Sequence, residues 1–181
     1  MRSLYSATEL LKNPWTETFL RLIALVQKDL LLISPFVKAH STNQILSGLR
    51  QRGIETDVRV AVLTNLRPES VLNGSLDLDG LLDLSRGLPR FELTHLPSLH
   101  AKVYVADSRM AVVTSANLTP SGISGNLEYG VAFVDQRTVA DVRRDFESYA
   151  LLGARISLPD LEVLVQETSE LKEVFKRAER S

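Results

Sequence analysis

Residues 99–128 read LHAKVYVADSRMAVVTSANLTPSGISGNLE, and the organisation of the chain is read outward from them. Three β-rich runs lie in and just beyond this stretch: Leu99–Val105, Met110–Thr114 and Glu128–Val134. His100 and Lys102 stand two apart, so on a strand both side chains leave the same face. An imidazole beside a fixed positive charge suits an oxyanion such as phosphate. Ser115 and Asn117 repeat the spacing at the end of the second run. The amide donates to a phosphate oxygen, and the hydroxyl donates or accepts. Glu128 opens the third run, where a carboxylate can take a proton from one ring nitrogen of His100 and fix the ring's tautomer. Between the second and third runs, SANLTPSGISGN is rich in Gly, Ser and Asn and reads as a loop.

Upstream, TETFLRLIALVQK (16–28) places Phe19, Leu22, Ile23 and Val26 at helical spacing. Asp29 and LLLIS then read as a fully buried strand ending at Pro35. A helix follows to Arg52, with Ser41 or Thr42 as its N-cap and Gly53 as its stop. DVRVAVLT (57–64) is a second strand. Residues 66–80 read as turns or a short helix, Leu81–Arg86 as a helix ending at Gly87, and 90–94 as a short strand. Downstream, Val139–Leu151 reads as a helix broken at Gly153. Pro159 opens a terminal amphipathic helix with Leu161, Leu164, Thr168, Leu171, Phe175 and Ala178 on its stripe. Alternation in the first half and clustered strands in the second predict an α/β fold, a mixed sheet with helices on both faces. The expected division is a catalytic domain over 1–153. Residues 154–181 are then a C-terminal helix for pairing, or for joining a further domain or partner.

Composition narrows the classes. With 181 residues, 44% of them apolar and 24% charged, the chain builds an ordinary globular core. It has no uncharged apolar run of about 18 residues, the length a membrane span needs. Its start, MRSLYSATELLKNPW, lacks the apolar stretch and cleavage site of a signal peptide. Without cysteines it has no disulfides or thiolate metal sites, which fits a reducing, cytoplasmic setting. The net charge of −1 gives no global field for nucleic acid, so any phosphate site must be local. No carboxylate or histidine cluster has metal-ligand spacing, and no cofactor or metal is expected.

The pattern His100-x-Lys102-x-x-x-x-Asp107, then Ser115-x-Asn117, then Glu128, resembles the HKD motif of the phospholipase D superfamily. Thr114 stands where that family usually has glycine. The resemblance implies a phospholipase D-like fold and roles for each residue. His100 attacks phosphorus and forms a phosphohistidine, while Lys102 and Asn117 clamp the phosphoryl oxygens. Ser115 is a supporting contact, Glu128 orients the histidine, and Asp107 is structural. The family's mechanism uses two histidines, and full-length members carry two motifs. Here there is one, and His40 and His95 are the other histidines, neither followed two residues later by lysine. A homodimer supplies the second ring by bringing His100 and its symmetry mate together.

The short, single-motif chain and its S-A-N-L-T run resemble the family's dimeric nucleases and the nuclease domains of restriction enzymes. The expectation is therefore a metal-independent phosphodiesterase, a DNA endonuclease that needs no membrane. A phospholipase or phosphatidyl transferase is one alternative, and a non-catalytic nucleic-acid-binding or assembly module is another. A third reading is that the sequence is a fragment, with a recognition domain removed after the final helix. Arg50, Arg52, Arg59, Arg67, Arg143 and Arg144 are candidates to line a groove. His95 reads as a loop residue and Trp15 as a core or staple residue rather than a stacking platform. Gly122 and Gly125 read either as turn glycines or as residues that let the loop approach phosphate.

Overall fold

The computed structural model describes residues 8–178, so the opening stretch read for a leader falls partly outside it. The run LLLI has no polar face, and the structure gives it none. It forms β2 (Asp29–Ile33), whose Leu30 and Leu32 point into one core and whose Leu31 and Ile33 point into a second. β3 (Arg59–Thr64) and β4 (Phe91–His95) lie parallel to it in sequence, β2 to β3 to β4. The helices between them make the crossovers that parallel neighbours require: α2 (Ala39–Gln51), then α3 (Pro68–Leu72) and α4 (Leu78–Gly87). On the other side of β2, β5 (Val103–Ala106), β6 (Met110–Thr114) and β7 (Tyr129–Phe133) form an antiparallel meander.

Two strands were not expected. β1 (Thr8–Lys12) pairs with β7 at one edge, and β8 (Ala154–Ile156) pairs with β4 at the other. Both are short and largely exposed, so their pattern is weak and their pairing partner creates them. Among the described residues the sheet has eight strands, in the order β1-β7-β6-β5-β2-β3-β4-β8. It is the expected mixed sheet with helices on both faces. α1 (Thr16–Leu25), α2, α4 and the start of α6 (Leu158–Ala178) cover one face, where Phe19, Ile45, Leu81 and Leu161 pack on Val60, Val62 and Tyr104. α5 (Gln136–Ala150) covers the other, seating Val139 and Phe146 on Leu31, Ala61 and Val105. Arg59 fastens α5 to the sheet, donating to Glu147 at 2.8 Å and to Glu92 at 3.0 Å. None of the described helices is long and apolar enough to cross a membrane.

Local expectations met different fates. Gly53 does end α2, with φ of +64° that a side chain would resist. The N-cap of α2 is not Ser41 or Thr42, both of which lie inside its first turn and are buried. Lys38 takes that position, and the carboxylate of Asp77 accepts from Ala39 N–H at 3.1 Å while Lys38 Nζ lies 3.0 Å from its other oxygen. A cap supplied by a residue 38 positions away leaves no local signature.

Candidate active site at the carboxyl edge of the sheet

The register places the motif. β5 runs antiparallel to β2 with Val103 opposite Ile33, so the residues just before β5 lie at the carboxyl ends of β2, β3 and β4. β6 runs antiparallel to β5 with Val113 opposite Val103, so the residues just after β6 lie at the same edge. Glu128 just precedes β7, where Gly130 opposes Thr114. His100, Lys102, Ser115, Asn117 and Glu128 are thus gathered at the edge where open α/β sheets hold ligands.

His100 and Lys102 precede β5 rather than lying within it, as the run Leu99–Val105 had suggested. Sharing one face does not depend on the strand, because Lys102 folds back. Its Nζ donates to the carbonyl of His100 at 2.8 Å and sits 3.3 Å from Nε2 and 3.5 Å from Nδ1 of the ring. An ammonium can only donate, so a hydrogen bond between the two ends on whichever ring nitrogen carries no proton. The imidazole is exposed, whereas Lys102 is only 9% exposed. Burial lowers the Lys102 pKa from its ordinary value, and the negative charge of Glu128 works against that fall. A reachable imidazole therefore stands over a shielded cation, an arrangement that attracts an oxyanion and presents a nucleophile to it.

The Ser115–Leu118 segment is held along its backbone. Ser115 N–H donates to Tyr129 O at 3.0 Å, and Ala116 N–H to Thr114 Oγ1 at 3.2 Å. Ala116 O accepts from the hydroxyl of the fully buried Tyr104 at 2.8 Å. That burial pushes the Tyr104 pKa far up, so the hydroxyl keeps its proton and remains a donor. Leu118 N–H donates to Ser34 Oγ at 2.9 Å, and Leu118 O accepts from Lys38 N–H at 3.0 Å. Asn117, half-buried among these fixed neighbours, has an Oδ1 shielded from solvent with no hydrogen-bond partner. Buried polar groups without partners are rare, and a ligand site is one reason for them. Sequence reading missed Tyr104 and Ser34. Their signal was faint: a phenol inside the apolar run VYVA, and a hydroxyl ending LLLI.

Glu128 accepts from Ser115 Oγ and, at 3.1 Å, from Asn126 Nδ2. Among the described residues, the ring of His100 is not one of its hydrogen-bond partners. Ser115 Oγ also accepts from Tyr129 N–H at 3.1 Å, so Ser115 and Glu128 tie the loop's return to β7. Asp107 stands apart from all of these. It follows the far end of β5, roughly 20 Å along an extended chain from His100. With φ of +49°, its carboxylate accepts from the N–H groups of Gln27, Lys28 and Asp29 at 2.7, 2.8 and 2.8 Å.

The arginine groove does not form as a set. Arg59 is paired with Glu92 and Glu147, Arg143 with Asp29 at 3.1 Å, and Arg144 with Asp141 at 2.6 Å. Arg52 donates to the carbonyls of Ile23 and Val26 at the end of α1. His95 ends β4 rather than lying in a loop, and its Nδ1 accepts from Leu66 N–H at 3.0 Å. Trp15 is a core residue, 3% exposed, edge-on to Phe19 and tilted against Tyr104. Among the described residues no three His, Asp or Glu side chains gather in a way that would hold a metal.

Solved structures share this architecture. Nuc from Salmonella typhimurium, a phospholipase D family member, aligns with a TM-score of 0.66 at 14% identity, covering 83% of this chain and 97% of that one. NucT from Helicobacter pylori aligns at 0.65 and 15% identity, covering 82% and 98%. Phosphatidylserine synthase from Haemophilus influenzae Rd KW20 aligns at 0.71 and 17% identity, covering 96% of this chain and 45% of that one. No curated protein sequence matches the chain. The sequence model described as cardiolipin synthase, PLD-like domain, matches residues 19–150, a span containing every residue gathered at the carboxyl edge. The chain belongs to that family of the phospholipase D superfamily.

Proposed function

We propose that the chain is a metal-independent phosphodiesterase that cleaves DNA, and that it works as a homodimer whose two His100 rings serve one phosphate. The observation that carries this reading is the exposed His100 ring standing 3.3 Å from a shielded Lys102. The ring's Nε2 attacks phosphorus, a P–N bond forms, and the P–O bond to the departing strand breaks. The partner's His100 gives its proton to that oxygen. The same ring then takes a proton from water, whose oxygen attacks phosphorus and releases His100. Negative charge spreads over the equatorial oxygens in each step, where Lys102 and Asn117 meet it. Two copies place two Lys102 side chains at one phosphate, which concentrates cation on a chain of net charge −1.

The dimer is argued from chemistry: each displacement needs one ring as nucleophile and another as acid, and a single motif supplies one. Ser115 and Glu128 act on the loop that carries Asn117, and Glu128 supports the charge of Lys102. The DNA reading is favoured by the likeness to Nuc and NucT, each matched over nearly its whole length. Phosphatidyl transfer is the second reading, favoured by the description of the matching family and by the likeness to phosphatidylserine synthase.

The test is cleavage of single- and double-stranded DNA in excess chelator, beside phosphatidyl vesicles offered with an acceptor alcohol. The expected result is cleavage in chelator, lost in His100→Ala. Loss of cleavage in chelator and its return with magnesium contradicts the mechanism. Turnover of phosphatidyl lipid with none of DNA moves the assignment to the second reading.

A further inference from the structure

The π-helical turn Ser121–Gly125 lies beneath the segment that carries Asn117. A Cβ added to Gly122 would fall 2.4 Å from the carbonyl oxygen of Asn117 and 2.9 Å from its nitrogen. Neither atom is the free end of a flexible side chain, so any residue larger than glycine forces the Asn117 backbone and the turn apart. Gly122 is itself held in place from far along the chain. Its carbonyl accepts from Trp15 Nε1 at 3.0 Å and from Asn13 Nδ2 at 3.2 Å, with Trp15 lying 107 residues away in sequence. The backbone of Trp15 joins the same turn, donating to Ile123 O at 3.1 Å. The ring of Trp15 also packs 5.5 Å from that of Tyr104, whose hydroxyl fixes Ala116. One indole therefore touches both supports of the residues flanking and forming the clamp.

We infer that Gly122 and Trp15 are positioning residues for Asn117, setting where its amide meets the phosphoryl oxygens. This rests on the reading of Asn117 as a phosphate clamp. It goes further by assigning a reaction-dependent role to a loop glycine and a core tryptophan that touch no substrate. Displacing a transition-state donor by about 1 Å costs on the order of 10²-fold in rate. A contact so close permits no smaller adjustment than a shift of the clamp or of the turn.

The experiment uses the full chain, with DNA and a small chromogenic phosphodiester as substrates in excess chelator. Five variants are compared: Asn117→Ala, Gly122→Ala, Trp15→Phe, and the two doubles with Asn117→Ala. Trp15→Phe removes the N–H donor and part of the indole volume but keeps an aromatic ring in the core, so, with its fold checked by thermal unfolding, it carries the test even where Gly122→Ala fails to fold. The expected result is a kcat loss of about 10²-fold in Gly122→Ala and a smaller one in Trp15→Phe, with KM little changed. In both doubles the loss is expected to be no larger than in Asn117→Ala alone, because the supports act only through that amide. A merely structural role gives losses that add to that of Asn117→Ala, and this overturns the inference. So does full kcat in Trp15→Phe and Gly122→Ala while Asn117→Ala is impaired. Full kcat in Asn117→Ala removes the clamp itself, and the inference falls with it while the role of His100 stands.

Discussion

At the scale of single residues, charge and burial set the behaviour of Lys102. Desolvation lowers its pKa below the ordinary 10.5, and the carboxylate of Glu128 opposes the shift. Between the lowered native value and 10.5 the unfolded chain holds the proton and the native chain does not, so stability rises with pH across that window. On the proposed mechanism function runs the other way, because Lys102 acts there as the ammonium. Glu128→Gln removes the opposing charge and lowers the pKa further. The alkaline limb of kcat/KM is expected to move to lower pH in that variant, read from a pH–rate profile on DNA. A limb that stays in place or moves up would show that the two groups are not coupled.

Asp107 makes the contrasting case within the same motif. Three backbone N–H groups end at its carboxylate, on the far edge of the sheet from His100. Asp107→Ala is expected to cost roughly 1.5–3 kcal/mol of stability, the worth of hydrogen bonds to a charged group. Denaturant unfolding measures that cost, while kcat of the folded variant stays near the parent value. A kcat loss of 10²-fold in a fully folded Asp107→Ala protein would place the residue in the chemistry.

At the scale of elements, the legible parts were those written in local pattern. Met110–Thr114 reads as a strand and is one, and LLLI has no polar face because both of its faces are core. Parts written in distant partners were not legible. β1 and β8 exist through the edges they pair with, and α2 takes its cap from Asp77. The strand expected over Leu99–Val105 begins later, at Val103, because Lys102 turns back onto His100. In the site, side chains of distinctive chemistry were visible in the sequence and Trp15 was legible as a core residue, while the neutral supports Tyr104 and Ser34 were not.

Thr114, the departure from the family pattern, shows how a neighbouring element absorbs a local change. Its cross-strand partner is Gly130, where an added Cβ would lie 2.6 Å from Thr114 Cβ. The larger residue on β6 thus faces the smallest on β7. Gly130→Ala is expected to destabilise by about 1–3 kcal/mol through overpacking. Thr114→Gly in the same chain is expected to recover only part of that loss, because the carbonyl oxygen of Val113 would still lie 2.7 Å from the added Cβ. Additive losses in the double variant, measured by thermal unfolding, would show that the two positions do not compensate each other.

At the scale of the whole molecule, the fold gathers the motif at one edge of the sheet, and the proposed mechanism makes that edge half of a two-histidine site. Three parallel strands end there, the antiparallel meander returns there twice, and every polar group of the motif except Asp107 converges there. On the proposed mechanism, an in-line double displacement requires a second copy of the chain to supply the second ring. The direct measurement is subunit mixing. Wild-type and His100→Ala chains are co-expressed in varied ratios, and DNA cleavage in chelator is plotted against the wild-type fraction. Activity falling as the square of that fraction is the expected result, since only dimers with two intact rings turn over. A linear fall, with each wild-type subunit active whatever its partner, would contradict the shared site.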